Sequence, residues 1–195
     1  MKAKPSPRQW MPPPSTRLVR LKVTLSDVRP PVWRRLLVPA GFTLRQLHQI
    51  LIAAMGWHGS HLHHFFIRGN FYGKPDPDLG SATRDERLHN FEQVLALGVR
   101  SFQYEYDFGD CWMHRIAIEK VEEADGRPLK PVCLEGKRAC PPEDSGGPWG
   151  YAELLRVLSD PSHAEYEDLK TWAGPRFDPE RFDIDHVNRL LAKIR

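Results

Sequence analysis

Phe102-Gln103-Tyr104-Glu105-Tyr106-Asp107-Phe108-Gly109-Asp110-Cys111-Trp112-Met113-His114-Arg115-Ile116-Ala117-Ile118 is the stretch whose reading decides the fold. Phe102, Tyr104, Tyr106 and Phe108 alternate with Gln103, Glu105, Asp107 and Gly109, the period of two that a strand with one buried face requires. Gly109-Asp110 then signals a reversal, because Gly tolerates a positive φ and Asp bonds its own backbone. The return strand is expected from Cys111 to about Val121. Pairing Asp107 with Asp110 or with Trp112 gives the same parity. Either register places Glu105, Asp107, Trp112 and His114 on one face and Tyr104, Tyr106, Cys111 and Met113 on the other. The expected product is a sheet face rich in acid and imidazole.

On the N-terminal side of this hairpin, Val19, Leu21, Val23 and Leu25 alternate with polar residues, predicting a strand that buries its odd positions. Val32 to Val38 reads as a second strand between Pro30-Pro31 and Pro39. Thr43 and Gln46 form a capping box for an amphipathic helix that carries Leu44, Leu47, Ile50, Leu51 and Ala54 and ends at Gly56. His61 to Ile67 alternates as a third strand. Three histidines in four residues invite a metal reading, but His61 and His63 share a face with no carboxylate or thiol near them in sequence, so the pair reads as structural or solvated before metal-binding. Gly69 to Arg84 reads as a loop, and Glu86 to Leu97 as a helix with Leu88, Phe91, Val94 and Leu95 on one side.

C-terminal to the hairpin, the glycines and prolines between Pro141 and Pro148 exclude regular structure and predict a rigid loop that leads into a helix at about Tyr151. Glu143 and Asp144 stand as adjacent acids in it. Cys133 and Cys140 are spaced too widely for an ordinary zinc knuckle. Leu154 to Leu158 forms one helical stripe. Ser162 with Glu165 predicts a capping box for a second helix ending at Gly174. Asp178-Pro179 or Asp183 caps a last helix carrying Ile184, Val187, Leu190, Leu191 and Ile194. Strands first and helices last give an α+β fold, a mainly antiparallel sheet with helices packed on one side and a helical C-terminal third.

The 195 residues, 41% hydrophobic, are enough for one α+β domain over residues 17–195, preceded by a basic, proline-rich and disordered tail over residues 1–16. No run approaches a membrane span and Met1 to Thr16 lacks an apolar signal region, so a cytoplasmic protein without membrane contact is expected. Three cysteines suit a reducing compartment. The net charge of +3 is uneven. Nine Lys or Arg against Asp27 alone lie in the first 35 residues, leaving 19 basic and 24 acidic residues in the remainder. Such an arm suits nucleic acid or an acidic partner, although cations on the solvent side of a strand also keep an edge soluble.

Tyr104 to His114, then Ala139-Cys140-Pro141-Pro142-Glu143-Asp144 with Gly146-Gly147 and Gly150-Tyr151, and finally Phe177-Asp178-Pro179-Glu180 with Phe182-Asp183 and Asn188, strongly resemble the Ri-plasmid open-reading-frame-three-like family. The resemblance spans roughly Arg17 to Leu191, including Pro31, Trp33-Arg34 and His61-Leu62-His63. It implies a passenger protein of plasmids and mobile elements, whose members often carry a resolvase-type label. Ser145 stands where the family commonly has cysteine, so no thiolate site is expected there.

Two functions fit these residues. The first is a non-catalytic binding module that uses the Asp107, Asp110, Trp112 and His114 face, with Glu105, Trp112, Glu143 and Asp144 as ligand contacts. The second is a metal-dependent hydrolase or nuclease in which Asp107, Asp110 and His114 hold manganese, iron or zinc. Asp107-Phe108-Gly109 also matches the kinase magnesium triplet, but no glycine-rich loop or His-Arg-Asp set accompanies it. The binding reading is preferred, because no nucleophile with a partner and no phosphate loop is present.

Overall fold

The computed structural model describes residues 15–75 and 83–194. In chain order the elements are β1 (Arg17–Leu25), β2 (Trp33–Pro39), α1 (Leu44–Met55), β3 (His63–Ile67), β4 (Asn70–Gly73), β5 (Arg84–Asp85), α2 (Phe91–Ala96), β6 (Ser101–Tyr106), β7 (Trp112–Glu123), β8 (Val132–Lys137), α3 (Gly147–Leu158), α4 (Tyr166–Ala173) and α5 (Ile184–Leu191). The strands form one sheet in the order β5-β4-β3-β6-β7-β1-β2-β8, antiparallel throughout except for the short β4–β5 pair. The fold is α+β.

The odd positions of β1, Val19, Leu21, Val23 and Leu25, are buried against Leu44, Leu47, Leu51 and Ala54 of α1 and residues of α3 and α5. This is the main core, and it puts the helices on one side of the sheet. On the opposite face the buried apolar residues are a small group, Leu18, Leu37 and Ala124. At the β8 edge, Asn188 of α5 accepts from the Cys133 N–H at 2.8 Å and donates to its C=O at 3.0 Å, so the helix side chain satisfies edge backbone groups as a neighbouring strand would. Ser15 and Thr16, the end of the expected tail, bond to Glu92 and Glu123; residues 1–14 lie outside the described residues.

Helix α1 begins as its sequence predicts, with Thr43 Oγ1 accepting from Gln46 N at 3.2 Å and Gln46 Oε1 accepting from Thr43 N at 2.7 Å. Thr43→Ala is expected to cost about 1 kcal/mol in a urea unfolding curve, the usual worth of one cap. A change below a few tenths would show that sheet packing alone holds this helix start.

The register of the β6–β7 hairpin corrects the sequence expectation. Tyr106 pairs with Trp112 and Tyr104 with His114. The connection from Asp107 to Cys111 has an odd number of residues, closed by the Cys111 N–H donating to the Asp107 carbonyl at 2.7 Å. A one-residue slip exchanges the faces, so Tyr104, Tyr106, Trp112 and His114 point together into the core while Glu105 lies opposite Met113. The reason is bulk: four large rings fill the space beneath α1 better than Cys111 and Met113 would.

Other boundaries also move. The strand expected at His61 starts at His63: the Asp107 N–H makes a last in-register bond to the Leu62 carbonyl, and the left-handed backbone of Asp107, φ 58°, ends the pairing there. The loop expected over residues 69–84 contains β4. Helix α2 is shorter than Glu86 to Leu97, since Asn90 and Gln93 form a reciprocal cap at Phe91, and Leu88 is exposed. Strand β8 is not foreshadowed by its sequence; only Cys133 within it is buried, so alternation is absent. Helix α3 begins at Gly147, with Pro148 in its first turn, rather than at Tyr151. The Ser162 cap does not form, because Ser162 donates to Asp160 and α4 starts at Tyr166 without a side-chain cap.

The described part of the basic arm is met by acids from other strands and from α2. Arg17 pairs with Glu92, Arg20 with Glu122, and Arg35 with Glu119 and Glu135. Arg34 is buried and donates to the carbonyls of Ala54, Trp33 and Lys137. Among the described residues no helix is long and apolar enough to cross a membrane.

Candidate functional site

Asp107 ends β6 with a left-handed backbone, φ 58°. Its Oδ1 accepts from Gly109 N at 2.9 Å, the local bond that Asp favours in turns, and its backbone N–H donates to Leu62 O at 2.8 Å. This turns the carboxylate toward the segment before β3. There His61 Nδ1 lies 3.5 Å from Asp107 Oδ2, and His61 Nε2 lies 3.4 Å from Asp144 Oδ1.

The rigid loop arrives through its own anchors. Trp57 Nε1 donates to Pro141 O at 2.9 Å, and the Tyr106 hydroxyl donates to Glu143 Oε1 at 2.5 Å. The His58 backbone N–H and Nδ1 donate to the same carboxylate at 3.0 and 2.7 Å. Burial pushes the Glu143 carboxyl up, but these donors outweigh it and hold the group below its ordinary value. Burial, followed by the bond to Glu143, raises the Tyr106 phenol to about 12, so it remains a donor. Asp110 Oδ2 accepts from Gly146 N at 3.1 Å and fastens the hairpin turn to the other end of the loop. Three separated motifs therefore meet at one point.

The sequence-predicted site residues divide between that point and the core. The structure does not bring Asp107, Asp110 and His114 together. His114 is fully buried and its Nδ1 donates to Trp112 O at 2.9 Å, leaving Nε2 without a partner; burial lowers its pKa to about 4. Trp112 is likewise fully buried beneath Trp57, so it backs the site and does not touch a ligand. Glu105 is half-buried with His64 Nε2 3.0 Å away. Glu143 is an anchor, and Asp144 is exposed beside His61. Among the described residues, the group of metal-ligating side chains that converges is His61, Asp107 and Asp144, with one ligand atom from each all within 4.8 Å of one another.

A cavity of about 630 Å³ opens next to His61. Arg45, Lys74, His48, His61, His63 and His64 line it, and Phe71 and Phe108 give it two exposed aromatic walls. His48 and His63 stack with centroids 3.5 Å apart. His63 Nε2 donates to the buried carboxylate of Glu86 at 2.8 Å, which Arg45 also approaches at 3.4 Å. His48 Nδ1 meets the Tyr104 hydroxyl at 2.8 Å. Burial holds the Tyr104 phenol protonated and drives His48 down to about 2, so the pair is neutral and shares one hydrogen bond. Sequence spacing could not reveal this cluster, because its members are scattered over α1, β3, β6 and the segment before α2; only the local density of histidines hinted at it.

A second groove of about 710 Å³ lies between Thr24–Pro31 and Trp149, with Asp27 and Arg29 as its charged lining residues. Cys133 and Cys140 flank buried Arg34, and burial raises their thiols to about 11 and 12, the protonated form that metals bind poorly.

Known proteins share this arrangement of chain. The sequence pattern of the family described as plasmid pRiA4b ORF-3-like protein matches residues 17–186. An uncharacterized protein, y4hQ, of Sinorhizobium fredii is 46% identical over 179 residues, covering 91% of this chain and 92% of its own length. The crystal structure of MM3350 from Methanosarcina mazei Go1, a protein of unknown function, superposes with a TM-score of 0.81 at 36% identity, over 88% of this chain and 97% of that one. The match runs from β1 into α5 and takes in the hairpin, the histidine segment and the Pro-Pro-Glu-Asp loop, so this chain belongs to the plasmid pRiA4b ORF-3-like family.

Proposed function

We propose that this protein is a non-catalytic binding module whose cavity takes a small anion carrying a flat apolar part. The observation that carries the reading is the cavity lining: Arg45 and Lys74 supply cationic donors, while Phe71 and Phe108 supply faces for a ring. The acids nearby do not oppose an anion, since Glu86 is covered by His63 and Arg45 and Glu105 by His64. Those same contacts favour binding over acid–base chemistry. His48, His63 and His64 each have a fixed partner, with the Nε2 donors of His63 and His64 already spent on Glu86 and Glu105. The Asp107 face of the hairpin borders this cavity, with Trp112 and His114 packed behind it. We read the protein as a cytoplasmic one that travels with plasmids or mobile elements, a reading supported by its family and by three free thiols.

Calorimetric titration with aromatic carboxylates, nucleoside 5′-monophosphates and their uncharged counterparts tests the reading. Saturable binding of a ring-bearing anion is expected, weakened about tenfold by Arg45→Ala or Lys74→Ala, the worth of one charge-assisted contact. Absence of binding across the panel, or affinity untouched by both substitutions, would sink it.

A further inference from the structure

We propose that His61, Asp107 and Asp144 form a site for a divalent transition-metal ion at the rim of the cavity. The inference does not depend on the identity, or the existence, of the cavity's anion. Its first support is convergence. The three side chains come from the segment before β3, the β6–β7 turn and the Pro141–Gly147 loop, and each offers an atom within 4.8 Å of the other two. The imidazole stands between the carboxylates at 3.5 and 3.4 Å, contacts too long for good hydrogen bonds. They are close to the separation of ligands around a shared ion, since bonds of about 2.0–2.1 Å put tetrahedral ligands about 3.4 Å apart. One imidazole nitrogen must serve both neighbours, so Asp144 has to close in slightly, and its side chain, 72% exposed at a loop tip, is free to do so.

The second support is how the ligand-bearing residues are held. Asp107 spends Oδ1 on Gly109 N, which leaves Oδ2 toward His61. The Asp107 N–H holds Leu62, the neighbour of His61, and the Tyr106 hydroxyl lies 3.5 Å from the His61 backbone nitrogen. On the loop, Glu143 is tied by Tyr106 and His58 immediately before Asp144, and Asp110 ties Gly146 two residues after it. Such outer contacts fix ligand orientation before an ion arrives. They also give Asp110 and Glu143 roles as positioning residues.

Donor chemistry narrows the ion. One imidazole with two carboxylates suits zinc, manganese or ferrous iron, whereas calcium and magnesium favour all-oxygen shells. Two carboxylates neutralise the dication, and three protein ligands leave at least one coordination position open. His61 also lines the cavity, so that open position is next to the space where an anion would lie.

The competing account is that a protonated His61 merely bridges two carboxylates, and metal titration separates the two. Chelator-treated full-length protein at pH 7 is mixed with zinc, manganese, magnesium or calcium chloride alone, and melting curves and calorimetric isotherms are recorded. A transition metal at 100 times its Kd is expected to raise the melting temperature by roughly 5–10 °C, with magnesium and calcium much weaker. Asp107→Asn, which retains an oxygen for Gly109 N, and Asp144→Ala, at an exposed position, should each weaken binding on the order of 100-fold. Glu135→Gln, on the far edge strand β8 where the acid pairs with Arg35, should leave it unchanged. A wild type that responds to no transition metal, or a response that survives in both Asp107→Asn and Asp144→Ala, overturns the site. Repeating the anion titration in chelator tests the cavity separately, so either reading can fail alone.

Discussion

Gly147→Ala is expected to be among the most damaging single-methyl additions in this protein. At Gly147 the backbone has φ 67°, and a Cβ built there would come 2.4 Å from the carbonyl oxygen of Asp110. Neither partner can yield easily: the oxygen is backbone, and the Asp110 side chain is bonded to the N–H of Gly146 beside it. Left-handed strain of about 1 kcal/mol then adds to a clash that only separation of the hairpin and the loop relieves. A total of about 3 kcal/mol or more is expected, lowering the melting temperature by roughly 6–12 °C. Gly126→Ala is the control. Its φ is 81° but nothing lies within 4 Å of the added carbon, so only the strain of about 1 kcal/mol applies. Comparison of the two by urea unfolding isolates the contact, and equal losses would mean that the loop does not press on the hairpin turn. Because Asp144 belongs to that loop, Gly147→Ala should also abolish the transition-metal response proposed for His61, Asp107 and Asp144.

Stability is expected to fall steeply on mild acidification, before most carboxylates titrate. Burial lowers His114 from 6.5 to about 4 and His48 from 6.5 to about 2 in the folded protein. Above pH 6.5 both residues are neutral folded or unfolded, so their contribution is complete. As the pH drops below 6.5, the unfolded chain takes up protons that the folded chain refuses, and stability is lost with them. The loss from His114 levels off near pH 4, whereas that from His48 continues toward pH 2. By pH 4.5 each histidine accounts for about 2–3 kcal/mol, since each tenfold difference in proton affinity between the folded and unfolded chain is worth about 1.4 kcal/mol. Urea midpoints measured from pH 8 to 4.5 test this. His114→Gln and His48→Gln should each flatten the curve, and the double variant should be nearly level down to pH 5. A level wild-type curve, or a slope unchanged in both variants, would show that these imidazoles are less desolvated than their packing implies.

Much of the scaffold was readable residue by residue. The alternation in β1, the capping box of α1, the stop at Gly174 and the cap at Asp183 all rest on contacts a few residues apart, and the structure shows each where the local pattern puts it. Family membership was legible for a similar reason, since three motifs in fixed order are a property of the chain alone. The site was legible only in its parts. Asp107 and Asp144 stand out as acids in turns, but the third member, His61, reads as structural because it has no acid near it in sequence. Its acids arrive from 46 and 83 residues away.

What decided the faces was a single residue in the hairpin turn. Local preference makes Gly109-Asp110 a good reversal in several registers, and an even or odd connection costs nearly the same within the turn itself. Only the tertiary structure distinguishes them: the odd connection buries Tyr104, Tyr106, Trp112 and His114 as one aromatic layer under α1, and the even one would bury Cys111 and Met113 and leave Trp112 in water. Sequence by itself therefore determined β1, β2, β6 and β7, the limits of α1, the cap of α5 and the family. Packing determined which side of the hairpin each residue serves, because side-chain burial is summed over neighbours that the chain brings together only after it has folded.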